Sequence, residues 1–251
     1  MALVTTDRPE DGIALLRLND PQSENRLSVK LCAEWTAALD LLAADQSVRA
    51  LVIAGLPVVF CAGSAIDELR QISAGNLNVR DSSLPLKLVE FPVPVVAAME
   101  GHAVGGGLAL ALLCDLIVAA SDRRYGMNFT ELGLTPGVGM TRIAIDLVGY
   151  HCAAELLLAG RFHRGDDLAR KGLFNTAVES TEVLSTAFDL ARQVSSKPRM
   201  VLEMTKAAMA LGRRTALLEA MSREHLMHQV CHQLPETAKS IDANYLQGRG
   251  R

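Results

Sequence analysis

The chain has 251 residues, 49% of them hydrophobic and only 4% aromatic, enough for one full core built mainly from Ala, Leu and Val plus a small helical appendage. A net charge of −3 without any Lys/Arg run argues against a nucleic-acid partner. The apolar stretch over 92–120 is broken by Glu100, glycines and Asp115 too early to span a membrane.

In chain order, a strand is predicted over 13–18 and a helix over 29–44, where Leu31, Trp35, Leu39 and Leu42 recur at helical spacing. A buried strand follows over 50–54, then Phe60-Cys61-Ala62-Gly63-Ser64 and a helix over 65–72. The stretch 73–83, with Gly75, Asn76, Asn78 and its serines, reads as a flexible loop or frayed helix over an active site. Strands are expected over 93–99, 116–119 and near 177–179, with an apolar helix over 108–113. Helices dominate from Gly165 onward. One begins at Asp166-Asp167, one covers 182–194, Pro198 opens a third, and the segments 215–232 and 236–245 complete the tail. The soft boundary at Pro198 divides a core of residues 1–197 from a helical region of 198–251. Residues 1–10 lack a basic-then-apolar signal pattern, and five cysteines spaced singly read as small buried hydrophobes in a reducing cytoplasm.

Two corners carry the chemistry. Met99-Glu100-Gly101-His102-Ala103-Val104-Gly105-Gly106-Gly107-Leu108-Ala109 places three glycines between a strand and a helix. Glycine admits close backbone approach, and a helix start leaves N–H groups without intrahelical acceptors. The turn at Ala62-Gly63-Ser64 repeats the pattern upstream. Two such corners supply two N–H donors, the minimum for an oxyanion hole, although tight packing alone also explains a glycine-rich turn. The dinucleotide alternative fails, because Gly105-Gly106-Gly107 lacks the GxGxxG spacing.

These corners, with Cys114-Asp115 and Leu132-Gly133-Leu134-Thr135-Pro136-Gly137, stand in the order and spacing of the crotonase (enoyl-CoA hydratase/isomerase) superfamily, which the chain resembles over nearly its whole length. The resemblance implies an α/β fold with a β-β-α spiral core and a C-terminal helical region for trimerisation. It also implies an acyl thioester held by the N–H groups of Ser64 and Gly106, and no cofactor is expected. Hydratases of the superfamily carry two glutamates that activate water; the first position is Ala109 here and the second is Phe129. Neither side chain moves a proton, so hydration by the usual route is not expected. Glu131, two residues on, is either a surface glutamate or an acid reaching the site through a reshaped turn.

The segment from Tyr125-Gly126-Met127-Asn128-Phe129 through to Val138-Gly139-Met140, and the tail Ser222-Arg223-Glu224-His225-Leu226-Met227-His228, resemble the decarboxylating crotonase homologues of polyketide β-branching cassettes. That resemblance implies decarboxylation of a 3-methylglutaconyl-type thioester, linked to an acyl carrier protein or to CoA, in a cytoplasmic homotrimer or dimer of trimers. His228 becomes the expected proton donor. His225, His228 and His232 share one broad helix face, which a structural or interfacial cluster would also produce, while a metal site lacks a neighbouring Cys pair or HExxH pattern. Ala62, Ala109, Phe129 and Met127 are expected to line the acyl pocket. The lysine that such decarboxylases use to hold the departing carboxylate falls near Asn78 here, with Arg80 as the expected substitute and Arg70 or Lys87 behind it. Two alternatives stay open: a hydratase or isomerase on coenzyme A using Glu131, and a non-catalytic homologue that binds a carrier protein.

Overall fold

The computed structural model describes residues 2–73 and 83–244, so the expectations for Asn78, Arg80 and most of the 73–83 loop lie outside the described residues. A larger sheet runs in the order β1 (Val4–Glu10), β2 (Ile13–Leu18), β3 (Ala50–Ala54), β5 (Val95–Met99), β7 (Leu116–Ala120) and β10 (Thr176–Val178). Only the β1–β2 pair is antiparallel. A smaller sheet orders β4 (Val59–Cys61), β6 (His102–Val104), β8 (Arg124–Gly126) and β9 (His163–Arg164). Three times, a strand of the larger sheet is followed by one of the smaller and then by a helix: β3 and β4 lead to α2 (Ile66–Ser73), β5 and β6 to α4 (Gly106–Ala111), and β7 and β8 to α5 (Met140–Leu157). This is the β-β-α spiral expected from the sequence.

Both faces of the larger sheet are covered, which is why its inner strands are apolar without interruption. Alternate residues divide between the faces. Leu51 and Ile53 join Leu31, Trp35 and Leu39 of α1 (Val29–Ala44) in one core. Ala50, Val52 and Ala54 meet Val183, Ala187 and Ala191 of α7 (Val183–Ser195) in the other. The helix α1 starts where Ser28 accepts the Leu31 N–H at 3.1 Å, an N-cap on the side chain's own chemistry.

The tail differs from the expected set of short helices. After Pro198 one helix of 34 residues, α8 (Arg199–His232), runs to the short α9 (Pro235–Asn244). It is pegged to the core by Lys206, which is only 5% exposed. Its ammonium donates to Asp115 at 2.6 Å and to the Val93 carbonyl at 3.0 Å, while Asp115 also accepts the Val95 N–H. No helix among the described residues is long and apolar enough to cross a membrane.

Burial pushes the thiols of Cys61 and Cys114 up to about 12, and that of Cys32 up to about 11. Thiolate is the reactive form. Native protein at neutral pH should therefore leave these three cysteines unlabelled by an alkylating reagent until denaturant is added, as peptide mass mapping would report. Labelling of Cys61 or Cys114 in the native state would contradict their placement.

Candidate active site

The two glycine corners meet at one place. A buried turn assembles the first: Asn25, fully buried, donates its amide to the carbonyls of Leu18 and Phe60 and accepts the Asp20 N–H. That turn then pairs with the corner, Ala62 N–H donating to Glu24 and Leu27 N–H to Gly63, with Leu27 and Ser64 bridged in parallel. Gly63 (φ +83°) and Gly105 (φ +53°) both sit where L side chains are strained, and each turns the chain into a helix start. A methyl group on Gly63 would lie 3.0 Å from the Val104 carbonyl oxygen and 4.0 Å from the Gly106 nitrogen. Gly106 is the first residue of α4, so its N–H has no acceptor within that helix.

A cavity of about 970 Å³ opens onto these corners. Ser64, Gly106, Ala62, Phe129 and His228 all line it. His228 arrives from α8, and its Nε2 lies 2.7 Å from the Thr135 carbonyl. A carbonyl only accepts, so Nε2 carries a proton there, which leaves Nδ1 as the nitrogen free to exchange one. His232 also lines the cavity, 6.1 Å from His228 between ring centroids; its pKa is held below the ordinary imidazole value by burial and then by the neighbouring His228. His102 accepts the Arg124 N–H on Nδ1 at 2.9 Å, and burial lowers its pKa as well. The charged side chains of the wall are mixed in sign, Arg26 and Arg124 against Glu24, Asp40 and Glu68.

Ala109, Met127, Arg70 and Lys87 do not stand on the cavity wall as expected, and of the two readings of Glu131 the surface one holds. Ala109 is fully buried in the core and does not line the cavity, where Gly106 and Leu110 of the same helix form the wall; its methyl group ends among core side chains. Met127 is likewise core. Glu131 sits in a short 3-10 turn, Thr130–Leu132, exposed on the surface with its side chain against Gly160, and is not among the cavity residues. Arg70 and Lys87 are paired with Asp242 and Asp40 and do not line the cavity either. Asn128 was missed by sequence reasoning. It lines the cavity with its Oδ1 3.3 Å from the point a Gly105 side chain would occupy, and a lone Asn before Phe129 gave no pattern to find it by.

The sequence profile of the enoyl-CoA hydratase/isomerase family matches residues 8–247. The chain belongs to this family. Its crotonase fold is shared with solved members, including the ECH2 decarboxylase domain of CurF from Lyngbya majuscula, with a TM-score of 0.90 at 27% identity over 96% of this chain and 99% of that one. The bacillaene synthase decarboxylase PksI of Bacillus subtilis is 28% identical over 94% of this chain and 95% of its own. The 2,3-dehydroadipyl-CoA hydratase of Escherichia coli is 30% identical over 96% and 94%. Decarboxylases and hydratases thus both stand among the relatives of this family member, and the cavity residues must separate them.

Within the crotonase frame, the wall offers no carboxylate at either position where hydratases carry their acids, since Ala109 is buried and Phe129 presents a ring. Water addition needs a base and an acid within reach of the substrate. We expect no measurable hydration of crotonyl-CoA, followed as loss of its enoyl absorbance, and no change in Glu131→Gln. Hydration by wild type that disappears in Glu131→Gln would reinstate the hydratase alternative.

Proposed function

We propose that this protein decarboxylates a 3-methylglutaconyl-type acyl thioester, carried on the phosphopantetheine of an acyl carrier protein, to a 3-methylcrotonyl-type product that leaves a β-methyl branch. One observation carries the reading: an imidazole, and no carboxylate at the hydratase positions, shares the cavity wall with both backbone corners. The likeness to decarboxylases from two organisms supports it.

The chemistry needs an electron sink more than a base. The C–C bond to the carboxylate breaks, and its electron pair moves through the conjugated double bond onto the thioester oxygen. The N–H groups of Ser64 and Gly106 stabilise that dienolate oxygen. Carbon dioxide leaves, and protonated His228 gives a proton from Nδ1 to the γ-carbon. The Nε2–H stays on the Thr135 carbonyl throughout, holding ring and tautomer as charge changes. Apolar walls such as Phe129, Leu110 and Val138 solvate the carboxylate less well than water does. No cofactor is required. We infer a homotrimer as well, supported by the exposed apolar stripe of Met200, Met204, Leu211 and Leu218 along one face of α8.

Turnover in D₂O tests this directly. The expected product is a 3-methylcrotonyl thioester with one deuterium on the γ-carbon; a 3-hydroxy thioester formed instead overturns the proposal in favour of hydration.

A further inference from the structure

The helix α5 begins without a cap of its own. Its N-cap residue is Gly139, at φ +78°, with no side chain to accept the N–H groups of the first turn. Met140 and Arg142 donate to the nearby carbonyls of Gly137 and Gly139, whereas the Thr141 N–H, with that of Gly139 itself, is satisfied from another helix. Glu224 of α8, only 2% exposed, accepts the Gly139 N–H at 2.6 Å, the Thr141 N–H at 2.8 Å and the Thr141 hydroxyl at 2.7 Å. A carboxylate at a helix N-terminus is favoured by the helix dipole, and hydrogen bonds to a charged acceptor are about twice as strong as neutral ones.

Glu224 stands one helical turn before His228, so both project from the same face of α8. Between their contacts lies the turn Thr135-Pro136-Gly137-Val138-Gly139. His228 holds its first carbonyl and Glu224 its last N–H. Within the turn Val138 has φ +61°, a region that a β-branched residue adopts only under strain, and Val138 lines the cavity. Gly137 lets the imidazole approach, since a methyl group there would lie 2.9 Å from Cε1 of His228. A strained turn that forms both the cavity wall and the acceptor for the histidine is thus clamped at its far end by a buried carboxylate.

We propose that Glu224 is the positioning residue of this site: by clamping the Thr135–Gly139 turn it keeps the Thr135 carbonyl on Nε2 of His228 and leaves Nδ1 to exchange the proton. Its kinetic consequence rests on the decarboxylase reading, whereas its effect on the ring does not.

The test pairs a ring spectrum with kinetics in the full-length protein. In wild type, ¹⁵N–¹H spectra of the histidine rings should show neutral His228 as the Nε2–H tautomer. In Glu224→Gln, with fold checked by circular dichroism, that signal should give way to the tautomer mixture of exposed His151. Turnover should fall by roughly 10- to 100-fold with KM nearly unchanged, the split of a misplaced proton donor. Thr141→Val, which removes one of the three donors and spares the backbone pair, should show the same changes more weakly and serves if Glu224→Gln does not fold. A wild-type ring spectrum in both variants, or a loss confined to KM, overturns the proposal. If wild type releases no carbon dioxide while the tautomer shift appears, the clamp stands and the decarboxylase reading falls.

Discussion

Gly106→Pro should lower turnover by roughly 100- to 1,000-fold, the usual cost of losing one oxyanion donor. Proline is tolerated at the first position of a helix, where its missing N–H breaks no intrahelical bond. Gly106 occupies that position in α4, so the substitution removes the donor and leaves the helix. The remaining concern is bulk, because a Cβ at Gly106 would stand 2.9 Å from Cδ1 of Leu27. Gly106→Ala adds the same carbon and keeps the N–H; it should retain most activity, since the end of the leucine can shift. Ser64→Ala, which also keeps its N–H, should be mild. Steady-state assays of the three variants distinguish the cases. A Ser64→Ala enzyme as impaired as Gly106→Pro would mean that the hydroxyl, not the backbone, meets the thioester oxygen.

His228→Ala should slow product formation by about 100- to 10,000-fold, the range that a positioned proton donor contributes. The half-buried ring touches the cavity and the Thr135 carbonyl, while Lys206 and Glu224 hold α8 in place independently of it. Acyl binding and fold should therefore persist, read as an unchanged KM and an unchanged far-ultraviolet spectrum. Wild-type rates in His228→Ala would remove the histidine from the mechanism.

The parts of this fold that were legible in sequence are those whose burial is repetitive. Ala50–Ala54 and Val95–Met99 are buried on both faces and read as continuous apolar runs, and α1 shows its stripe over four turns. The smaller sheet was not legible. Its strands are two or three residues long, too short for a period of two to show, and β4, β6 and β8 each follow directly on a strand of the larger sheet. The helix α5 was also missed, because Gly149 at φ +75° breaks its pattern midway. Conversely, α8 was divided in two where the chain continues as one helix past Gly212, which meets no neighbour within 4 Å.

The candidate site followed the same rule. Backbone corners advertise themselves through glycines, so the two turns that bring Ser64 and Gly106 to the cavity wall were legible. Side-chain placement depends on rotation about an element, and there differences of one or two residues mattered: Ala109 faces the core where Leu110 meets the cavity, and Glu131 turns to the surface where Phe129 faces inward. The clamp of Glu224 on Gly139 joins residues 85 apart in sequence and leaves no local signature.

The most direct measurement follows the carboxylate itself. A 3-methylglutaconyl carrier protein labelled with ¹³C in the free carboxylate, incubated with wild-type protein, should lose the label as carbon dioxide and yield the 3-methylcrotonyl carrier protein by mass spectrometry. Retention of the label by both the carrier-protein and the CoA thioester would contradict the decarboxylase assignment.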